Sequence, residues 1–109
     1  ESLSNTVVKM NSEQRKQLHI AAVFACNFSN HMFSIADDIL QKSNIDFNLL
    51  HPLIRQTIKK IEKHSPKNVQ TGPAKRNDKN IIESHLQSLE KNQQELYKLI
   101  TNSIISNND

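Results

Sequence analysis

Residues 18–36, LHIAAVFACNFSNHMFSIA, contain no Gly, Pro, Lys, Arg, Asp or Glu. Nothing in this run punctuates a helix, and its apolar positions recur at helical spacing. Extended to Ser12 and Lys42, the pattern predicts one helix of roughly thirty residues, about 45 Å long at 1.5 Å per residue. On a 3.6-residue wheel, Ile20, Phe24, Phe28, Ile35, Met32, Ile39, Phe33, Leu40 and the alanines cover more than half of the circumference. The remaining sector, roughly 140° wide, receives His19, Cys26, Asn27, Asn30, His31, Ser34, Asp37 and Asp38. The polar residues thus form one stripe, uncharged in its middle.

A solvated helix face usually carries Lys, Glu, Arg and Gln. Short uncharged polar groups instead suit a partly buried face that must find specific hydrogen-bond partners. Two readings of Asn27, Asn30 and His31 stay open. They bond to neighbouring helices or loops as core polar groups, or they line a cleft for a ligand or another domain. A membrane span is disfavoured, because two Asn, two His and two Ser would enter the bilayer.

The second constraint is a single glycine, Gly72. Average usage of about 7% would give several. Long helices with few tight turns are expected, and neither a P-loop nor a Gly-rich dinucleotide fingerprint can be built. The chain has 109 residues and a mass of 12.5 kDa, so one domain is expected. With 36% hydrophobic and 5% aromatic residues, few elements remain to cover the long helix, which points to a second copy or a second domain. A net charge of +3 does not by itself imply nucleic acid. The lone cysteine, Cys26, cannot form an internal disulfide, which fits a reducing, cytoplasmic setting. No signal peptide is visible, and the chain does not begin with Met, so a fragment of a longer protein is expected.

Taken in order, residues 6–10 form a short β-like run, read as the end of a preceding domain, as a linker, or as a disordered terminus. Asn11 or Ser12 caps the long helix. A second helix starts from Asp46 or Asn48 and reaches about Lys63, with Pro52 in its first turn or kinking it. Its apolar row is Leu50, Ile54, Ile58 and Ile61. Its other face repeats Arg55, Lys59 and Lys63, with Lys60 beside them, and reads as solvated. Nucleic-acid binding would ask for interleaved aromatics. Ser65 and Pro66 open one short turn. In residues 71–78, TGPAKRND, the only Gly stands directly before a Pro, a choice that only unusual backbone torsions require. Such a loop either presents Thr71, backbone N–H groups and Arg76 to an anion or polar partner, or is a plain connector with Asp78 capping the next helix. The last helical stretch starts at Lys79, with a break within residues 90–95. His85 reads as a satisfied core histidine, and the tail from Ser106 should fray.

The five histidines do not make a metal site. No His-x-x-x-His or Glu-x-x-His pair exists, and Glu62/His64 and Glu83/His85 point away from each other on a helix. Cys26 is expected to be buried and inert in mid-helix.

The ordered string Leu18-His19-Ile20-Ala21-Ala22-Val23-Phe24 with Asn27, Asn30 and His31, then Pro52-Leu53-Ile54-Arg55-Gln56-Thr57, then Thr71-Gly72-Pro73-Ala74 with Arg76 and Asp78, then His85-Leu86, Leu89 and Leu96-Tyr97, resembles the C-terminal helical domain of a family of Rossmann-containing bacterial proteins, domain of unknown function 2520. That family is similar to NADP-dependent oxidoreductases of the pyrroline-5-carboxylate reductase and 6-phosphogluconate dehydrogenase type. The resemblance implies an all-α fold in which a long central helix is packed by two or three further helices. Residues 1–11 would be the linker or tail of an N-terminal Rossmann domain, and residues 12–109 the helical domain. It further implies a homodimer, NADP bound by the full-length protein but not by this piece alone, and a small-molecule substrate whose identity is open. Neither nucleic acid nor membrane is expected as a partner. The substrate-cleft candidates are His19, Asn27, Asn30, His31, Thr71, Gly72, Arg76 and Asp78, with His31 the candidate general acid or base. One departure matters. The β-hydroxyacid dehydrogenase relatives carry a Lys four residues before the Asn of the equivalent helix, and here Val23 holds that position if Asn27 is that Asn. Their acid–base chemistry is therefore not carried over. The alternative function is a helical interaction or dimerisation module without enzymatic activity.

Overall fold

The computed structural model describes residues 9–107. Most of the β-like run at residues 6–10 lies outside them. Lys9 and Met10 are in neither helix nor strand. The described residues are helical with no strand, so the chain is all-α. They divide into two compact units, one reaching Leu53 and the other starting at Ile54.

The first unit is dominated by the long helix. It begins as α1, Ser12–Ala22, passes through a π-helical segment, Val23–Phe28, and continues as α2, Ser29–Lys42. The backbone stays helical at both junctions, so this is one continuous rod over residues 12–42, as the composition predicts. Asn11 starts it with a reciprocal capping box. The Asn11 side chain accepts from the Gln14 N–H at 2.8 Å, and the Asn11 N–H donates to Gln14 Oε1 at 3.0 Å.

The rod stops without a glycine. Asn44 takes the left-handed conformation at φ 57°. The Ile45 N–H bonds back to the Leu40 carbonyl at 3.0 Å, and the Asn44 N–H to the Gln41 carbonyl at 3.1 Å. This pair of bonds is the Schellman stop, with Asn where Gly is usual. Asn77 repeats the device after the short helix α4, Pro73–Arg76. Its φ is 54°, and the Asp78 and Asn77 N–H groups bond to the Pro73 and Ala74 carbonyls at 2.9 and 3.1 Å. Glycine scarcity therefore does not remove tight helix stops, because two asparagines supply them.

A 3₁₀ turn, Phe47–Leu50, capped by Asp46, packs on α2 and leads into α3, His51–Lys63. Pro52 sits in the first turn of α3, where its missing N–H costs nothing. In the second unit another 3₁₀ turn, Pro66–Val69, follows Ser65. After α4 come α5, Lys79–Ser88, and α6, Lys91–Ser106. The break falls at Leu89 and Glu90, at the leading edge of the polar run. The Gln94 amide spans it, donating to the Leu86 and Leu89 carbonyls at 2.7 and 3.0 Å.

The core is nearly absent. Among the described residues only Ala74 is buried, where α4 packs against α5 and α6. The apolar positions of the rod remain open, led by Phe24 at 66% and Phe28 at 48% exposure. The later half of the α3 row is open too, with Ile58 at 49% and Ile61 at 47%. No helix among the described residues is long and apolar enough to cross a membrane.

Candidate functional site

In the first unit, His19, Asn27, Asn30 and His31 are all exposed on the rod. The reading of Asn27, Asn30 and His31 as satisfied core polar groups does not hold within this chain. None of the three makes a side-chain hydrogen bond among the described residues. Cys26 is likewise exposed rather than buried, so the premise for an inert thiol fails.

The rod also carries a feature that the wheel could not contain. Asn27 and Cys26 lie inside the π segment, whose wider turns hold more residues than an α-turn. The angular register therefore changes between α1 and α2. His19, before the π segment, does not share one straight stripe with Asn30 and His31, which follow it. Short π segments recur at functional positions because they re-aim side chains without ending the helix. Within this one, Phe24 and Phe28 stack edge to face, with ring centroids 5.0 Å apart at 78°. Their pairing leaves both rings open on one side of the rod.

In the second unit, residues 71–78 make a tight loop and turn around α4. Gly72 holds φ 101° and ψ 171°, a region that is essentially closed to other residues. A Cβ at this position would meet no atom within 4 Å, so torsion and not space demands the glycine. The turn exposes Thr71 and Arg76. Asp78 serves as a helix cap, its Oδ1 accepting the Ile81 N–H at 3.3 Å. Thr71 and Gly72 wall a cleft of about 210 Å³ with Pro73, Tyr97, Thr101 and Ile104. Arg76 and Asp78 do not line it.

Tyr97 is held in that wall by His85. The Tyr97 hydroxyl and His85 Nδ1 are 2.9 Å apart, and the rings meet edge to face at 87°. His85 is thus satisfied, yet it is exposed and not a core residue. The pair ties α5 to α6 beside the Thr71-Gly72-Pro73 turn. From the sequence His85 reads as a satisfied core histidine, whereas Tyr97 enters only as a mark of resemblance. Their separation across a helix break gave no signal that they would meet. Chemically, the cleft is largely apolar, with Thr71, Thr101 and Tyr97 as the polar residue types in its wall.

Among the described residues, no group of three or more His, Cys, Asp or Glu is placed to hold a metal ion. With one glycine in the chain, no Gly-rich loop is present to cradle a dinucleotide pyrophosphate. The residues present do not fit a dinucleotide by themselves.

An all-helical domain with an uncovered rod and a strained Thr-Gly-Pro turn is the class that these features define. The chain belongs to the family described as a domain of unknown function (DUF2520), which matches residues 1–104. No curated protein matches it. A solved structure, "Crystal structure of putative NADP oxidoreductase BF3122 from Bacteroides fragilis", is 47% identical and superposes with a TM-score of 0.90. That similarity covers 94% of this chain and 40% of the other, so the chain spans less than half the length of the relative it matches.

Proposed function

We propose that this chain is the helical dimerisation and substrate-cleft domain of an NADP-linked oxidoreductase, and that it is not catalytic alone. The observation that carries the reading is the superposition of 94% of this chain on 40% of a longer chain described as a putative NADP oxidoreductase, at 47% identity. The nucleotide would be held by a Rossmann domain preceding residue 12, with residues 1–11 as its tail or linker. This chain's own contribution would be the cleft wall and the interface between two copies. His19, Asn27, Asn30 and His31 on the rod, and Thr71, Gly72, Arg76 and Asp78 around the turn, are the proposed cleft residues. His31 is the proposed general acid or base. A cytoplasmic setting accompanies the reading.

The exposure of the rod supports the dimeric part. Phe24, Phe28, Ile20, Leu18, Phe33 and Ile39 are each at least 38% exposed. Covering such a side chain fully is worth about 1.5–3 kcal/mol, so a partner surface that covers half of each supplies several kcal/mol. A second copy brings the same face and satisfies two-fold symmetry.

The test is NADPH titration of the full-length protein, followed by fluorescence. Micromolar binding, with Asn27→Ala or Arg76→Ala lowering turnover of a found substrate and leaving the oligomer intact, is the expected result. Unchanged kinetics in both variants would overturn the site assignment. A full-length protein without NADPH affinity would leave the interaction-module reading, which the uncovered aromatic pair Phe24–Phe28 also suits.

A further inference from the structure

Positive charge is concentrated in one part of the chain. Residues 55–76 hold Arg55, Lys59, Lys60, Lys63, Lys67, Lys75 and Arg76 against one acid, Glu62, which is a net +6. The rest of the chain sums to −3, giving the overall +3. Three of these lysines wall two adjoining clefts. One, of about 240 Å³, is lined by Lys67 and Lys75 with Ile104. The other, of about 230 Å³, is lined by Lys60 with Ile61 and Val69, and ends at Thr71. Pro66 and Gln70 line both, so the two clefts flank the 3₁₀ turn Pro66–Val69 as a basic groove wholly within the second unit. Lys60 and Lys67 are exposed, and among the described residues neither is engaged in an ion pair.

We propose that this groove binds the phosphate group of a small molecule. Its cations are all lysines. A planar carboxylate is best matched by the two-pronged guanidinium of Arg, and neither Arg55 nor Arg76 lines the groove. Lysine ammoniums are compact point charges that approach from separate directions, which suits a tetrahedral dianion with acceptors on every side. Gln70 is fixed at the joint between the clefts, its Nε2 donating to the Thr71 carbonyl at 3.1 Å. The apolar walls from Ile61, Val69 and Ile104 are available to the organic body of the ligand. Each cleft is smaller than the roughly 300–1,000 Å³ of an ordinary ligand pocket, which restricts the ligand to a small phosphorylated molecule. No aromatic residue lines either cleft, which disfavours a nucleic-acid strand needing stacking platforms. The inference stands on the charge and shape of this unit and holds whether or not the chain serves an oxidoreductase.

The test uses the full-length protein and inorganic pyrophosphate, titrated by calorimetry at low salt. Saturable binding is expected below about 1 mM, weakened about tenfold or more in Lys60→Gln/Lys67→Gln. The control Lys16→Gln/Lys98→Gln removes the same charge outside the groove and should shift binding less than about twofold. Equal losses in both variants, or no binding up to about 10 mM, would overturn the proposal. NADPH that competes with pyrophosphate at these lysines would identify the dinucleotide as the source of the phosphate. Pyrophosphate binding unaffected by NADPH would identify a separate phosphorylated molecule.

Discussion

The two units solve the problem of a small apolar inventory in opposite ways. The rod of the first unit spends its aromatics outward. Four phenylalanines occur in the chain, and Phe24, Phe28 and Phe33 stand exposed on this one helix. The second unit closes on itself with small and polar parts. Ala74 is buried against two helices, the Gln94 amide bridges the α5–α6 break, and Tyr97 meets His85. The difference teaches where stability should reside. The second unit has internal ties that a mutation can cut, whereas the first depends on whatever covers it.

The largest way to sharpen that contrast is to charge the rod. Phe24→Glu/Phe28→Glu should weaken self-association of the full-length protein about a hundredfold or more, since two half-open rings are lost and two carboxylates must be desolvated. Sedimentation velocity across a dilution series checks it, and helicity by circular dichroism should hardly change. In the second unit Ala74→Leu should cost about 1–3 kcal/mol, because three added carbons must be accommodated at the one position that is buried among the described residues, where α4 packs on α5 and α6. Urea unfolding reads this directly, and an unchanged midpoint would break the picture of Ala74 as the packed centre. Gly72→Ala should cost about 1–3 kcal/mol through torsion alone, given the empty space around a Cβ there. Tyr97→Phe removes one hydrogen bond and should cost about 1 kcal/mol, seen as faster amide exchange at the α5–α6 junction. A loss larger than that of Ala74→Leu would mean that the His85–Tyr97 pair, and not the α4 packing, holds the unit.

The helices were legible because their signals are local. Asn11 three residues before Gln14, Asp78 before Lys79 and Pro52 inside a first turn each mark a boundary by capping or torsion chemistry. Gly72 announced its own strained backbone. Hidden features were those that depend on what lies across space. The π segment at Val23–Phe28 leaves no compositional trace, so a uniform wheel drew a stripe that the backbone does not keep. The exposure of Asn27, Asn30, His31 and Cys26 was equally invisible, because periodicity assigns faces but cannot say whether this chain covers them. His85 and Tyr97 meet only because the chain turns between them. Asn44 and Asn77 carry left-handed stops that a search for glycine passes over.

The proposed dimer requires the rod to be covered by a second copy of the same chain. Sedimentation equilibrium of the full-length protein tests this most directly. A dimer that persists at low micromolar concentration, and that falls apart in Phe24→Glu/Phe28→Glu, is the predicted result. A clean monomer at high micromolar concentration would contradict the account and return the aromatic face to some other partner.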